Sequence, residues 1–280
     1  MGKPARTRPQ GPAGAGTRRL NRLALALLVA VVATPAMADD LRDFCPNRPG
    51  KGSPACILDQ GHFQVEGDIA DVARDRQAGV TTTDTSIADF QIRYGLTRRS
   101  ELQLSWAPFL SEHVTGAGRT SGSGDATLAL RWALTDPDAK SVLVSVQPFV
   151  TAPVGSSAFT NDEWNGGIGL PVAIPVSEGV SLGLYPQWTD AVNAGGHGRH
   201  SAWSVAGGLG FSAGPFGYGV ELWGAWDEDP AGHTRQASAD LTATWQPMGL
   251  KDTQLDAGLN FGLNDNTPAH EFYLGLARRF

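Results

Sequence analysis

From residue 61 to the end, apolar and polar residues alternate in segments of about ten, and this period of two constrains the fold more than any other feature. Phe63, Val65 and Ile69 alternate with Gln64, Glu66 and Asp68, and Phe90, Ile92 and Tyr94 alternate with Asp89, Gln91 and Arg93. Leu102, Leu104 and Trp106 oppose Glu101, Gln103 and Ser105; Ala126, Leu128, Leu130 and Trp132 oppose Asp125, Thr127, Ala129 and Arg131. Further segments follow at 142–150, 164–176, 180–188, 203–211, 216–226, 237–245, 255–263 and 272–280. A strand puts successive side chains on opposite faces, so each segment has one apolar and one polar face. Glycine, 35 of 280 residues, argues against helices, where each one costs about 1 kcal/mol relative to alanine.

The connections sort the strands into a closed object. Short turns are expected at 95–100, 135–140, 177–179, 213–215 and 247–252, and longer loops between them at 73–83, 111–123, 190–200 and 227–236. Short turns at one rim and longer loops at the other describe an outer-membrane barrel with both termini on the periplasmic side. A soluble sandwich has shorter strands and no such alternation. Trp106, Trp164, Trp188, Trp203 and Trp226 fall near the longer loops, and Trp132 and Trp245 near the short turns. Two aromatic girdles are what lipid headgroups at two interfaces select. The expected fold is all-β: a transmembrane, antiparallel, up-and-down β-barrel of about twelve strands over residues 61–280.

The N-terminus reads as an export signal. Residues 1–38 hold Lys3, Arg6, Arg8, Arg18, Arg19 and Arg22, no acidic residue, and an apolar run from Leu23 to Ala33. That run is too short for a bilayer span, which takes about 20 helical residues, and it leads to Ala36-Met37-Ala38, a signal-peptidase pattern. Removing 1–38 takes away six of 22 basic residues and none of 28 acidic ones, leaving a net charge of −12. A chain so acidic has no stripe with which to neutralise phosphates, so nucleic acid is not an expected partner. Residues 39–60 read as an N-terminal periplasmic segment. It carries the only cysteines, Cys45 and Cys56, for which a disulfide is expected in an oxidising compartment. A metal site would need more ligands than the nearby His62.

The last strand ends on Phe280, with Phe272, Leu274 and Leu276 on one face and Tyr273 and Gly275 in a polar-x-glycine arrangement. This resembles the terminal strand that the outer-membrane assembly machinery reads. That machinery and the outer-membrane lipid are therefore expected partners. Arg278 departs from the pattern, standing where an apolar residue is usual.

If the apolar face meets lipid, the opposite face lines the lumen. It collects Glu66, Asp68, Asp89, Glu101, Asp125, Glu221, Asp240, Asp256 and Glu271 against Arg93, Arg131 and Arg279. Asp125 is expected to pair with an interior arginine, since buried charges are normally paired. Carboxylates in excess favour cations, so a weak cation preference is expected, dependent on Glu66, Asp68 and Asp89. An uncharged aromatic solute would need the room left by Ala206, Gly208 and Gly210.

Several segments resemble a known family. They are Gly61-His62-Phe63-Gln64-Val65-Glu66, Tyr94-Gly95-Leu96-Thr97-Arg98-Arg99-Ser100-Glu101-Leu102, and the stretch from Gly124-Asp125 to Trp132. Ala152-Pro153-Val154-Gly155, Asn260-Phe261-Gly262-Leu263-Asn264 and the Phe280 end complete the set. In this order they are similar to the outer-membrane proteins of the MetA-pathway of phenol degradation family, over most of residues 58–280. Ser156 stands where that family more usually has an acidic residue. The resemblance implies an outer-membrane channel or transporter for small hydrophobic or aromatic compounds. No His-x-Ser pair, HExxH, CxxC or P-loop occurs, so neither catalysis nor a bound cofactor or metal is expected. Two other readings stay open: a structural barrel with a plugged lumen, and a barrel-borne hydrolase assembled from loops.

Overall fold

The computed structural model describes residues 41–160, 162–250 and 252–280; the expected signal segment 1–38 lies outside them. Sixteen strand segments build twelve staves of one closed antiparallel barrel. The first stave is β1 (Phe63–Gln77). The second is split into β2 (Val80–Ile87) and β3 (Phe90–Thr97), the third into β4 (Ser100–Trp106) and β5 (Phe109–Val114). The fourth comprises β6 (Gly118–Gly122) and β7 (Ala126–Ala133), and the fifth is β8 (Leu143–Ala152). The sixth comprises β9 (Asn165–Gly169) and β10 (Val172–Ser177). Six unbroken staves follow: β11 (Val180–Val192), β12 (Arg199–Ala213), β13 (Phe216–Asp227), β14 (Thr234–Trp245), β15 (Thr253–Gly262) and β16 (His270–Arg279).

The breaks have local causes. Pro108 separates β4 from β5 and Pro171 separates β9 from β10, each removing a donor from the ladder. Ala88, at a φ of 57°, separates β2 from β3. The barrel closes where β16 pairs with β1, from Gln64 opposite Arg279 to Arg74 opposite His270. Reciprocal bonds between Phe63 and Phe280 lock the end of this seam, with N–H···O distances of 3.1 and 2.7 Å.

Burial is inverted relative to a soluble protein. Phe63, Leu104, Leu128 and Leu222 point outward, Leu222 at 64% exposure, whereas Glu66, Arg93, Glu101 and Arg131 are almost fully buried. Trp132, Trp164, Trp203, Trp226 and Trp245 are exposed on the outer surface.

Two expected loops are strands. The sequence reading places loops at 73–83 and 111–123, but β1 and β2 stay paired down to Gln77 opposite Val80. Ala78 and Gly79 turn the chain there, both at positive φ as a tight hairpin turn requires. Similarly, β5 and β6 pair from Leu110 opposite Gly122 to Val114 opposite Gly118. The alternation that marks a lipid-facing strand fades where both faces of a hairpin meet water. Thr81, Thr82, Thr83 and Thr85 hold the extended conformation through β-branching instead.

Candidate functional site: the lumen and its N-terminal loop

Residues 41–60 belong to the same compact unit as the barrel, and they lie against its inner wall rather than standing apart as a periplasmic segment. The loop starts at the short-turn rim. Arg42 Nε meets Asp138 Oδ1 at 2.6 Å, in the connection between β7 and β8. The loop reaches inward to Gly50, Lys51 and Gly52 and returns to the same rim, where Gln60 bridges to Gly95. The Cys45–Cys56 disulfide ties its two limbs together. Pro46, Pro49 and Pro54 suit an extended segment with no ladder of its own.

One side of the wall grips this loop through charge. Arg93 on β3 makes a bidentate pair with Glu101 on β4, both contacts at 2.9 Å, and reaches Glu66 on β1 at 3.0 Å. Arg131 on β7 lies 3.4 Å from Glu101 and donates to Gln147 Oε1 at 2.8 Å. The two arginines also hold the disulfide loop directly. Arg93 donates to the Cys45 carbonyl at 2.8 Å, and Arg131 donates to the Cys56 carbonyl at 3.1 Å. Leu58 N–H donates to Glu101 at 2.6 Å, and Ser145 Oγ donates to the Ala55 carbonyl at 2.6 Å. Glu66, Arg93, Glu101 and Arg131 are all buried, so each charge needs the others.

The seam adds a second grip. Arg48 lies 2.7 Å from Asp68 and 3.0 Å from Asp256, with its guanidinium over the Tyr273 ring. Gly50 N–H donates to Tyr273 Oη at 3.0 Å. A side chain at Gly275 would run into Arg48, so this glycine leaves the guanidinium its place. Lys51 Nζ meets Glu271 at 3.0 Å, and its backbone N–H donates to Glu221 at 2.7 Å. Arg279 joins Asp59 at 3.1 Å and Asp252 at 2.6 Å.

Other sequence candidates sit differently. Asp125 accepts from Gly155 N–H at 2.9 Å, at the start of β7. Asp89 occupies the break between β2 and β3, where its carbonyl accepts from Asp68 N–H at 2.8 Å. Asp240 is buried opposite Glu221. The sequence reading passes over Asp71, because a bulge between Asp68 and Ala70 shifts the register and defeats simple alternation. It also passes over Arg48 and Lys51. Three cations in a proline-rich segment beside an acidic wall were the available signal. Gly210-Phe211-Ser212-Ala213-Gly214 has the glycine-serine spacing of a nucleophile elbow. It lies on the β12–β13 hairpin, without the strand-to-helix turn that exposes such a serine.

Outside the strands, Asp138 is held at about 2 by hydrogen bonds from Arg42 and Arg98. It therefore keeps its charge at the foot of the loop.

Opposite the charged wall the loop leaves space. A cavity of about 440 Å³ lies between residues 44–54 and the wall formed by β11 to β15. Gly183, Ala206, Gly208, Gly210, Gly217 and Gly219 face it, with Ser181, Thr242 and Thr244 beside them. Its charged lining is limited to Arg48 and Glu221.

A comparison with curated protein sequences gave no match. Among solved structures, the COG4313 outer membrane channel from Pseudomonas putida F1 is similar at a TM-score of 0.63 and 17% identity. The alignment covers 83% of this chain and 99% of that one. The NanC porin aligns at a TM-score of 0.49 and 8% identity, over 77% and 98% of the two chains. The first likeness establishes the fold, a closed antiparallel barrel resembling that of an outer membrane channel. The family model described as "Putative MetA-pathway of phenol degradation" matches residues 46–280, and the chain belongs to that family.

Proposed function

We propose that this protein is a bacterial outer-membrane channel admitting small hydrophobic or aromatic solutes between its N-terminal loop and the glycine-rich wall. The observation that carries this reading is the cavity of about 440 Å³, which is floored by glycine and alanine and bordered by few charges. An apolar ring gains by leaving water and meets no unpaired buried charge that its arrival would desolvate. Lipid surrounds the outer belt, and Tyr273, Gly275 and Phe280 serve the assembly machinery. Ion flow is small and cation-preferring, because Glu221 borders the space held by backbone N–H groups, while Arg48, the other charge there, is matched by Asp68 and Asp256.

The test is solute uptake into proteoliposomes holding wild-type protein or Gly210→Phe. A Cβ at Gly210 would meet only the Ser181 hydroxyl at 3.2 Å, so the larger ring enters the cavity without a backbone clash. Uptake of a small phenol by wild-type should fall at least severalfold in the variant. Equal uptake by both would overturn the route. A second reading, a plugged structural barrel, is favoured by the ion pairs of Arg48 and Lys51 that hold the loop to the wall. It requires that neither phenol nor ions cross the wild-type protein above the empty-liposome rate.

A further inference from the structure

At the rim opposite the short turns, the β11–β12 and β13–β14 connections meet around one histidine. His200 opens β12, Asp227 ends β13 and Asp229 follows it, and one ligand atom from each lies within 4.8 Å of the others. The His200 side chain is 5% exposed although it sits at the rim. Its tautomer follows from its neighbours. Asn193 Nδ2 donates to the His197 carbonyl at 2.9 Å, which turns the Asn193 oxygen toward His200 Nδ1, also at 2.9 Å. An oxygen there accepts, so Nδ1 carries the proton.

A neutral ring then has a bare lone pair on Nε2. That atom is buried, has no aligned hydrogen-bond partner, and lies 3.0 Å from Asp227 Oδ1. A lone pair facing a carboxylate is repulsive unless something positive lies between or on them. Asp229 stands on the other side of the ring, 3.9 Å from Nδ1, with its carboxylate fixed in place by Ala194 and Ala231 N–H groups at 2.6 and 2.7 Å and one ligand atom still within 4.8 Å of those of His200 and Asp227. Arg199, the preceding residue, is engaged elsewhere, with Asp190 at 2.5 Å and with the Trp164 carbonyl at 3.0 Å.

We infer that His200, Asp227 and Asp229 form a binding site for a divalent first-row transition metal that staples two rim connections together. Nitrogen and carboxylate ligands about 2.0 to 2.2 Å from one ion stand about 3 Å apart, the spacing seen between His200 and Asp227. An imidazole with two carboxylates suits zinc or its neighbours better than magnesium or calcium, which prefer all-oxygen sets. The Nδ1–H bond to Asn193 is the outer contact that such a ligand needs to fix its ring.

The alternative is a protonated His200 paired with the two carboxylates and no metal. Calorimetric titration of the mature barrel in detergent with zinc chloride separates the two. Wild-type and His233→Ala, which removes a neighbouring histidine paired with Glu228, should each bind one zinc per barrel. His200→Ala and Asp227→Asn should lose that event, and magnesium chloride should not reproduce it. Cobalt(II) in place of zinc should give visible absorption bands that vanish in His200→Ala. Absence of stoichiometric zinc binding by the folded wild-type, or unchanged binding in His200→Ala, would overturn the site and leave the ion pair.

Discussion

The two sides of the lumen are made of different residues and treat the same loop differently. From β1 to β8 the inner face carries Glu66, Arg93, Glu101, Arg131 and Gln147, all buried and in contact with one another or with the loop. From β11 to β14 it carries Gly183, Ala206, Gly208, Gly210, Gly217 and Gly219, and a cavity opens beside them. Long charged side chains cross the lumen and hold the backbone that enters it. Glycines withdraw the wall by a side chain's depth and leave the cavity of about 440 Å³. An alternating strand can thus serve as clamp or as conduit, according to what its inward positions hold.

The largest expected effect is on the clamp. Glu101→Ala would leave Arg93 and Arg131 buried without their shared carboxylate, a loss of about 3 to 5 kcal/mol for a broken buried pair. Heat unfolding in detergent, followed by gel mobility, should show a markedly lower transition. An unchanged transition would mean that the charged wall does not hold the fold. Next comes the seam that joins the two sides. Deleting Phe280 removes both reciprocal bonds to Phe63 along with the terminal aromatic. The truncated chain should be exported but recovered mainly outside the outer-membrane fraction, as quantified by fractionation and blotting.

A smaller effect sharpens the conduit. Glu221→Gln removes the carboxylate bordering the cavity, so reversal potentials in a salt gradient should shift away from cations. Neutralising Glu66, Asp68 and Asp89 together is a less clean test than the sequence suggests. Glu66 and Asp68 each hold an arginine, and freeing Arg93 and Arg48 would add positive charge as well as remove negative. The smallest effect is at the foot of the loop. Asp138 has a folded value of about 2 against an ordinary 3.8, so its contribution is complete above about pH 4. It is lost as the pH falls through 2. Protease susceptibility of the 41–60 segment should be flat from pH 7 to 4 and rise only below that window.

The barrel was legible because lipid imposes a strict rule. Phe63, Leu104 and Leu128 must face outward, which fixes the parity of every residue between them. The water-exposed hairpins 73–83 and 111–123 escaped that rule and read as loops. The loop inside the lumen escaped it too, since residues 41–60 form no strand and carry no period. Their cysteines pointed to a closed loop but not to its location. Arg48 and Lys51 find their places only after the closed sheet brings Asp68, Asp256 and Glu271 together. Asp71 was hidden by a one-residue bulge, the feature that period-two reasoning handles worst.

The seam also has a consequence for the order of assembly. Closing the cylinder joins the first and last strands of the chain, and an encounter between such distant segments is slow because the intervening chain must give up its freedom. The loop carries tethers of the same reach: Arg48 to Asp256 across 208 residues, and Lys51 to Glu271 and Asp59 to Arg279 across 220. These tethers bind the incoming strand from inside while the ladder binds it edge to edge. The segment that fills part of the interior is therefore also a latch across the seam, fastening the closing strands to the start of the chain.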